Sequence, residues 1–132
     1  MKYVLDTHVW IWWHMLPKFL SKKVLNTIQN LKEHDELLLS AISPWEFSKL
    51  IEKKRLNISV PPEEWIEKAL DMPRLRLVPL YPLLAYRSTV LPEFTHTDPA
   101  DQIIVATARE EAAVLITKDE RLRSYPHIKT LW

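Results

Sequence analysis

Four acidic residues scattered along the chain have the types and positions that could build a chemical site. Asp6 directly follows a short apolar run, and Asp119 comes just after another. Glu46 lies one turn beyond a third such run, and Asp101 stands at the start of an apolar helix. Apolar runs of this length predict buried strands. If those strands are parallel, all four acids lie near one edge of the sheet, where such folds bind their ligands.

Each of these acids also has a purely structural interpretation. Asp is a favoured N-cap, so Asp6 can cap the aromatic helix that follows it. Glu46 can close a capping box with Ser43, and Asp98 can cap the helix in whose first turn Asp101 complements the dipole. Capping does not, however, require an acid at the same sheet edge after nearly every strand. The repeated placement therefore favours a shared chemical role.

A cluster of carboxylates needs a positive partner. Two carboxylates about 4 Å apart repel by roughly 4 kcal/mol at an effective dielectric constant of 20, so a cation or a proton must relieve the charge. The chain has no cysteine and no paired-histidine spacing, which leaves oxygen ligands. These favour Mg²⁺ or Mn²⁺, bound through one or two carboxylates and otherwise through water. Such an ion activates water beside a phosphate, so the pattern favours phosphodiester hydrolysis.

Strand-length and helical patterns alternate along the whole chain. The predicted strands are residues 2–5, 37–42, 75–78, 114–117 and 128–132. The predicted helices are the aromatic segment after Asp6, residues 22–34 behind a Ser21 cap, residues 43 to about 54, helices opened by Pro62 and Pro82, the helix of residues 103–108, and a short turn after Asp119. This alternation predicts an α/β fold with a mainly parallel sheet of four to five strands, covered by helices on both faces.

Composition narrows the class of protein. The 132 residues suffice for one core, and we expect residues 1–132 to form a single domain. The formal net charge is only +1, so any nucleic-acid contact must come from a local basic patch. The absence of glycine excludes a P-loop and a Rossmann glycine fingerprint. No apolar run approaches the roughly 20 residues of a membrane span, so we expect a cytoplasmic protein with no membrane partner.

Several segments together resemble the PIN domain family, specifically the VapC-type toxins of bacterial type II toxin-antitoxin pairs. The segments are residues 6–13, 40–46, 98–101 with the helix 103–108, and 115–119. They span almost the whole chain in the family's order, which makes the set specific although each piece is short. The resemblance implies a three-layer α/β/α fold, Mg²⁺-dependent endoribonuclease activity, a homodimer, and an antitoxin protein that holds the toxin inactive.

The resemblance also implies which residues form the site. The acids that match the family's catalytic positions are Asp6, Glu46, Asp101 and Asp119. Asp6 and Asp101 match the acids that bind the metal. Thr7 and Thr117 match hydroxyl positions beside the acids, where they orient the carboxylates or a metal-bound water. Asp98 is a second acid within reach of Asp101, and we interpret it as the helix cap.

Other functions stay open on the sequence alone. A haloacid-dehalogenase-like phosphatase would use Asp6 as its nucleophile, but it has a second Asp two residues on, where this chain has His8. A receiver-type phosphoacceptor pairs acids after its first strand, and Asp6 stands alone there. A PIN nuclease of RNA processing without a toxin role is a further alternative. So is a noncatalytic module of the same fold whose apolar surface binds a partner protein.

Basic and aromatic residues offer further candidates. His8 and His96 could act as general acids, although we expect hydrogen-bonded packing for the first and plain surface for the second. Basic residues on and after the Glu46 helix could contact RNA phosphates or merely complement the helix dipole; they are Lys49, Lys53, Lys54 and Arg55. We expect four tryptophans to pack in the core or at a dimer interface rather than stack on bases; they are Trp10, Trp12, Trp13 and Trp45.

Overall fold

A five-stranded, all-parallel sheet forms the centre of the structure, a computed structural model that describes all 132 residues. Its strands are β1 (Lys2–Leu5), β2 (Glu36–Ser40), β3 (Leu75–Val78), β4 (Val114–Ile116) and β5 (Lys129–Leu131). Their order across the sheet is β3-β2-β1-β4-β5. The predicted parallel α/β fold is therefore confirmed, because all five predicted strands are present and their bounds shift by no more than about two residues.

Helices connect the strands. They are α1 (Thr7–Met15), α2 (Lys22–Gln29), α3 (Ile42–Glu52), α4 (Pro62–Leu70), α5 (Pro82–Arg87), α6 (Pro99–Glu110) and α7 (Glu120–Arg123), with a 3₁₀ turn at Pro17–Phe19. Ser21 caps α2 as predicted, since its hydroxyl accepts a hydrogen bond from the Val24 amide at 3.1 Å. Proline opens α4, α5 and α6, where its fixed φ suits the first turn. None of the helices combines the length and the apolar character needed to cross a membrane.

The sheet separates two hydrophobic cores. Val4, Leu38 and Leu115 are paired in register and lie on one face, in a core with residues of α5, α6 and α7. The residues that follow them along each strand belong to the opposite core, together with residues of α1 to α4. Because both faces are covered, the strands are apolar without alternation. The fold is thus the three-layer α/β/α sandwich that the resemblance implies.

The strand order reverses at β1. The chain builds β1, β2 and β3 outward in one direction and then returns to the other side of β1 for β4 and β5. In open parallel sheets, such a reversal leaves a crevice beyond the carboxyl ends of the two central strands. Asp6 leaves β1 at this point, and Thr117 leaves β4 beside it.

Three local predictions are wrong. Helix α2 ends at Gln29 rather than at residue 34, because the chain turns where the Lys32 amide donates to the Asp35 carboxylate at 2.9 Å. The sequence predicts that the helix opened by Pro82 includes Val90, but α5 ends at Arg87. Ser43 does not cap α3, so the predicted capping box with Glu46 is absent: the helix begins at Ile42, whose amide donates to the Ser40 hydroxyl at 3.2 Å. Ser43 is buried inside the helix, where its hydroxyl has a tertiary partner.

Candidate active site

An open cleft of about 430 Å³ lies at the carboxyl end of β1. It brings together all four predicted acids and Asp98; these five carboxylates are Asp6, Glu46, Asp98, Asp101 and Asp119. They come from the ends of β1 and β4, from α3 and from the start of α6. The convergence predicted from parallel strands is therefore present in the structure.

Asp6 is the most deeply buried of these acids. Its Oδ1 accepts a hydrogen bond from the Thr7 amide at 2.8 Å, so it caps α1 as the structural interpretation proposed. Its Oδ2 accepts from the buried Thr117 hydroxyl at 2.6 Å, and His8 Nδ1 lies 3.5 Å from the same oxygen. Capping and a chemical role are compatible here, because each carboxylate oxygen has two acceptor positions.

Glu46 belongs to a short hydrogen-bonded chain that joins α1 to α3. The Thr7 hydroxyl donates to Glu46 Oε1 and lies 2.8 Å from the buried Ser43 hydroxyl. A hydroxyl has a single proton, so a Thr7 that donates to Glu46 must accept from Ser43. Burial raises the pKa of Glu46 against the opposing effect of Thr7, and the nearby carboxylates of Asp6 and Asp98 raise it further.

Asp101 is the acid most affected by its surroundings. Its residue is 9% exposed, and burial, followed by the charges of Asp98 and Asp6, raises its pKa to about 7. Asp98 caps α6, as predicted, because its Oδ1 accepts from the amides of Ala100 at 2.8 Å and Asp101 at 3.3 Å. The Arg121 guanidinium lies 3.3 Å from Asp101 Oδ2 and partly offsets the rise in pKa.

Asp119 is occupied by Arg121. It caps α7 through the Arg121 amide at 2.9 Å and binds the guanidinium through both oxygens, at 3.2 and 2.8 Å. These bonds hold the pKa of Asp119 below its usual range. The Thr117 hydroxyl accepts from the Asp119 amide at 3.0 Å while it donates to Asp6, so one buried hydroxyl links the two acids. Sequence reasoning missed Arg121; its only signal was a cation two residues after a predicted site acid.

The two histidines differ in position. His8 lines the cleft, and its Nε2 accepts a hydrogen bond from the Lys118 amide at 3.2 Å. The proton of a neutral His8 is then on Nδ1, which faces Asp6, and burial lowers the pKa of His8. These contacts agree with the predicted hydrogen-bonded packing. His96 lies outside the residues that line the cleft, and its ring packs edge-on against Phe94 with the centroids 4.9 Å apart.

The tryptophans divide in a way that the sequence did not reveal. Trp10 is fully buried, and Trp12 and Trp13 pack against the same core, as predicted. Trp45 is 55% exposed and lines the cleft, so it does not pack in the core, and the dimer-interface alternative stays a prediction for it. In the same helical turn, Phe47 packs in the core and Glu46 lines the cleft beside Trp45. Trp45 is thus on the side of α3 that faces solvent.

The donor set of the cleft fits a hard divalent cation. Its candidate ligands are carboxylate oxygens. The pKa values of Glu46 and Asp101 are raised first by burial and then by neighbouring carboxylates, and a bound cation would offset both effects. As the side chains stand, no three carboxylate or imidazole groups form a complete ligand set. Mg²⁺ commonly binds through one or two carboxylates and retains several waters, so a pair of acids suffices.

Sequence comparison identifies relatives over nearly the full chain. The model of the PIN domain family matches residues 3–128. The chain is 37% identical over 131 residues to Ribonuclease VapC22 of Mycobacterium tuberculosis, a match that covers 98% of this chain and 97% of that protein.

Solved structures share the fold. The VapBC-1 structure from nontypeable Haemophilus influenzae matches with a TM-score of 0.70 and 22% identity, over 99% of this chain and 97% of that one. A toxin-antitoxin complex from Klebsiella pneumoniae matches with a TM-score of 0.65 and 18% identity, over 98% of this chain and 96% of that one. The resemblance inferred from the motifs is confirmed, and the chain belongs to the PIN domain family.

Proposed function

We propose that the protein is a Mg²⁺-dependent endoribonuclease, with Mn²⁺ as an alternative ion, and that it is the toxin of a toxin-antitoxin pair. The observation that supports the proposal most strongly is the meeting of five carboxylates in one cleft where the strand order reverses. Ribonuclease VapC22, which matches this chain over nearly the whole length of both proteins, supports the proposal by its name.

The proposed catalytic acids are Asp6, Glu46, Asp101 and Asp119. Asp6 and Asp101 would hold the ion, which supplies an activated water and stabilises the charge that develops on a phosphate oxygen. Glu46 has a raised pKa and an oxygen not engaged by Thr7, which suits it to accept the proton of the attacking water. Thr7 orients Glu46, and Thr117 orients Asp6, through the hydrogen bonds described above.

Asp119 has a supporting part in this proposal. Both of its oxygens are bonded to Arg121, so it keeps negative charge at the rim of the cleft without being free to move toward an ion. The Thr117 link to its amide couples its position to that of Asp6. Asp119 therefore contributes mainly to the electrostatic field in which the other acids work.

The partners are proposed on the same basis. The Klebsiella relative in fold was solved as a toxin-antitoxin complex, which supports an antitoxin protein as the partner of this chain. A homodimer is supported by exposed apolar side chains after β3, on α5 and just after α5; these are Leu80, Leu83, Tyr86 and Val90. Apolar patches of this kind commonly mark protein interfaces. A cytoplasmic location remains a prediction.

Cleavage of RNA by the purified protein tests the activity. Structured and unstructured RNAs are incubated with the protein in Mg²⁺ or in EDTA, and the products are resolved by electrophoresis. We expect internal cleavage in Mg²⁺ and none in EDTA. We expect Asp6→Asn and Asp101→Asn to lose more activity than the about 10–100-fold typical of outer-shell changes at metal sites.

Asp71→Asn is the matched control, because Asp71 is exposed and lies outside the cleft. It removes the same charge and should cleave at the wild-type rate. Cleavage that persists in EDTA, or that survives both site substitutions, would contradict the proposed activity.

A further inference from the structure

The cleft has a second wall that the proposed chemistry leaves unused. Trp45 and Lys49 on α3 line it, as does Lys53 directly after the last residue of α3; their spacing of four residues puts them along one side of the helix. Arg55 follows the end of α3 and lines the same cleft. The four residues are called the α3 wall below. At a helical rise of about 1.5 Å per residue, Trp45 and Lys53 lie roughly 12 Å apart along the α3 axis.

Trp45 is the exposed aromatic residue of the cleft. The buried and half-buried tryptophans pack against other rings: Trp10 against Phe47 with centroids 6.1 Å apart, for example, and Trp65 stacked on Phe47 at 4.1 Å. Trp45 has no such ring partner, and the cation of Lys49 lies 5.9 Å from its centroid. An indole face beside a cation, open to the cleft, is suited to stack on a nucleic acid base.

The cations of the α3 wall are free to meet phosphates. Lys53 and Arg55 are exposed, and neither forms an ion pair. Lys49 forms an ion pair with Glu52 three residues on, and because this pair is exposed, solvent weakens it. The protein as a whole has a net charge of only +1, so this local group supplies the basic patch that nucleic-acid binding requires.

We propose that the α3 wall binds an unpaired stretch of RNA, with one base stacked on Trp45 and the flanking phosphates at Lys49, Lys53 and Arg55. Trp45 is adjacent in sequence to Glu46, so a base held there places the neighbouring phosphodiester at the acids. Paired bases cannot reach the indole face, because sequence-tolerant stacking needs a base that is splayed out of a helix. The inference rests on the proposed ribonuclease function and names its substrate class.

RNA binding measured without cleavage tests the α3 wall. The probe is a fluorescein-labelled, unstructured RNA of mixed sequence, and its Kd is measured by anisotropy in EDTA and low salt. The same strand annealed to its complement is measured in parallel. We expect the single strand to bind more tightly than the duplex, and Trp45→Ala to weaken single-strand binding by about 5- to 150-fold, the range for loss of one stacked base.

Two further variants separate stacking from charge. Trp45→Phe keeps an aromatic face and should restore most of the affinity. Lys53→Gln should reduce the slope of log K against log salt by about 0.7, as expected when one phosphate contact to a single strand is lost. Phe19→Ala is the matched control, because Phe19 is an exposed aromatic residue outside the cleft, and it should bind as the wild type does.

Unchanged affinity of Trp45→Ala for the single strand would overturn the inference. If that substitution instead weakened binding of a partner protein, the α3 wall would serve that partner. Equal losses for single strand and duplex would overturn it as well. Circular dichroism checks that each variant is folded. The binding assay is performed in EDTA and does not depend on cleavage. A protein that binds RNA through Trp45 in EDTA but cleaves no RNA in Mg²⁺ would support the α3 wall and contradict the proposed activity.

Discussion

The carboxyl group of Asp101 has a pKa of about 7, because it is buried next to Asp98 and Asp6. A folded-state pKa above the unfolded value of about 3.9 means that the folded protein holds the proton more tightly. The resulting stabilisation is complete below about pH 4 and is lost as the pH rises through 7. Ionised Asp101 therefore destabilises the metal-free protein under neutral and alkaline conditions.

Asp101→Asn should consequently stabilise the metal-free protein, although it removes a proposed catalytic acid. We expect the free energy of unfolding to rise by about 2 kcal/mol at pH 8 and to change little near pH 4. Urea unfolding in EDTA at the two pH values measures the difference, with Asp71→Asn as the control. A variant that is less stable than the wild type at pH 8 would contradict the burial and charge effects assigned to Asp101.

Arg121 occupies the side of the cleft where Asp101 and Asp119 face each other. Its positive charge reduces the attraction of the acids for a metal ion. Arg121→Gln should therefore bind Mn²⁺ about three- to tenfold more tightly at pH 8, measured by titration calorimetry. Weaker binding in the variant would show that Arg121 is needed to hold the acids in place and would exclude competition as its main effect.

Predictability from sequence at this scale depended on the residue type. The acids were identified because their positions after strands repeat. Arg121 was missed and Ser43 was interpreted as a helix cap, because their partners Asp101 and Thr7 lie 20 and 36 residues away in the sequence. Core packing was one of two alternatives for Trp45, and it does not occur, because an apolar pattern does not say which side of a helix faces an open cleft.

At the scale of elements, the contact between α1 and α3 depends on buried hydroxyls. The Ser43 hydroxyl lies 2.8 Å from that of Thr7, which in turn donates to Glu46. Ser43→Ala removes the donor and leaves Thr7 with an unsatisfied acceptor position. We expect a loss of about 1–2 kcal/mol in the free energy of unfolding, measured with urea.

Ser48→Ala provides the comparison, because the Ser48 hydroxyl is exposed and bonds only to the Pro44 carbonyl of its own helix. It should change the free energy of unfolding by less than about 0.5 kcal/mol. Equal effects of the two substitutions would mean that the Ser43 contact does not contribute to packing α1 against α3.

The strands were the most predictable elements. A parallel sheet covered on both faces requires continuous apolar runs, and these runs are visible in the sequence. Helix boundaries were less predictable. The sequence signal at Ser43 is the same whether its hydroxyl forms a hydrogen bond within α3 or, as here, with Thr7 of α1. The early end of α2 likewise depends on a local turn closed by Asp35.

At the scale of the whole molecule, the proposed homodimer would use the apolar side chains of α5 as its interface. Leu83 and Tyr86 are 57% and 62% exposed, and their spacing of three residues puts them on one side of the helix. Leu83→Glu places a charge in the proposed interface and should shift the protein from dimer to monomer in analytical ultracentrifugation. Leu16→Glu, at an exposed site outside this patch, should leave the dimer intact.

A wild-type protein that sediments as a monomer would contradict the proposed homodimer directly. A Leu83→Glu dimer of unchanged stability would show instead that the subunits associate through another surface. Neither substitution lies in the acid cleft, so both variants should retain the fold and the site. Circular dichroism and Mn²⁺ binding check this.

The arrangement of the whole sheet was only partly predictable. Alternating elements imply parallel strands and a common edge for the acids, but they do not give the order of the strands across the sheet. That order puts β4 beside β1, and it brings Thr117 to Asp6 although 111 residues separate them. The hydrogen bonds within the cleft follow from this long-range pairing, which no local pattern records.

The position of a bound Mn²⁺ ion, located by anomalous X-ray scattering from crystals grown with the metal, tests the proposed site most directly. We expect one strong peak in the acid cleft, at roughly 2.0–2.4 Å from carboxylate oxygens of both Asp6 and Asp101. The peak should be absent from crystals of Asp101→Asn. A protein that cleaves RNA in Mn²⁺ but whose bound ion contacts neither acid would contradict the proposed metal site.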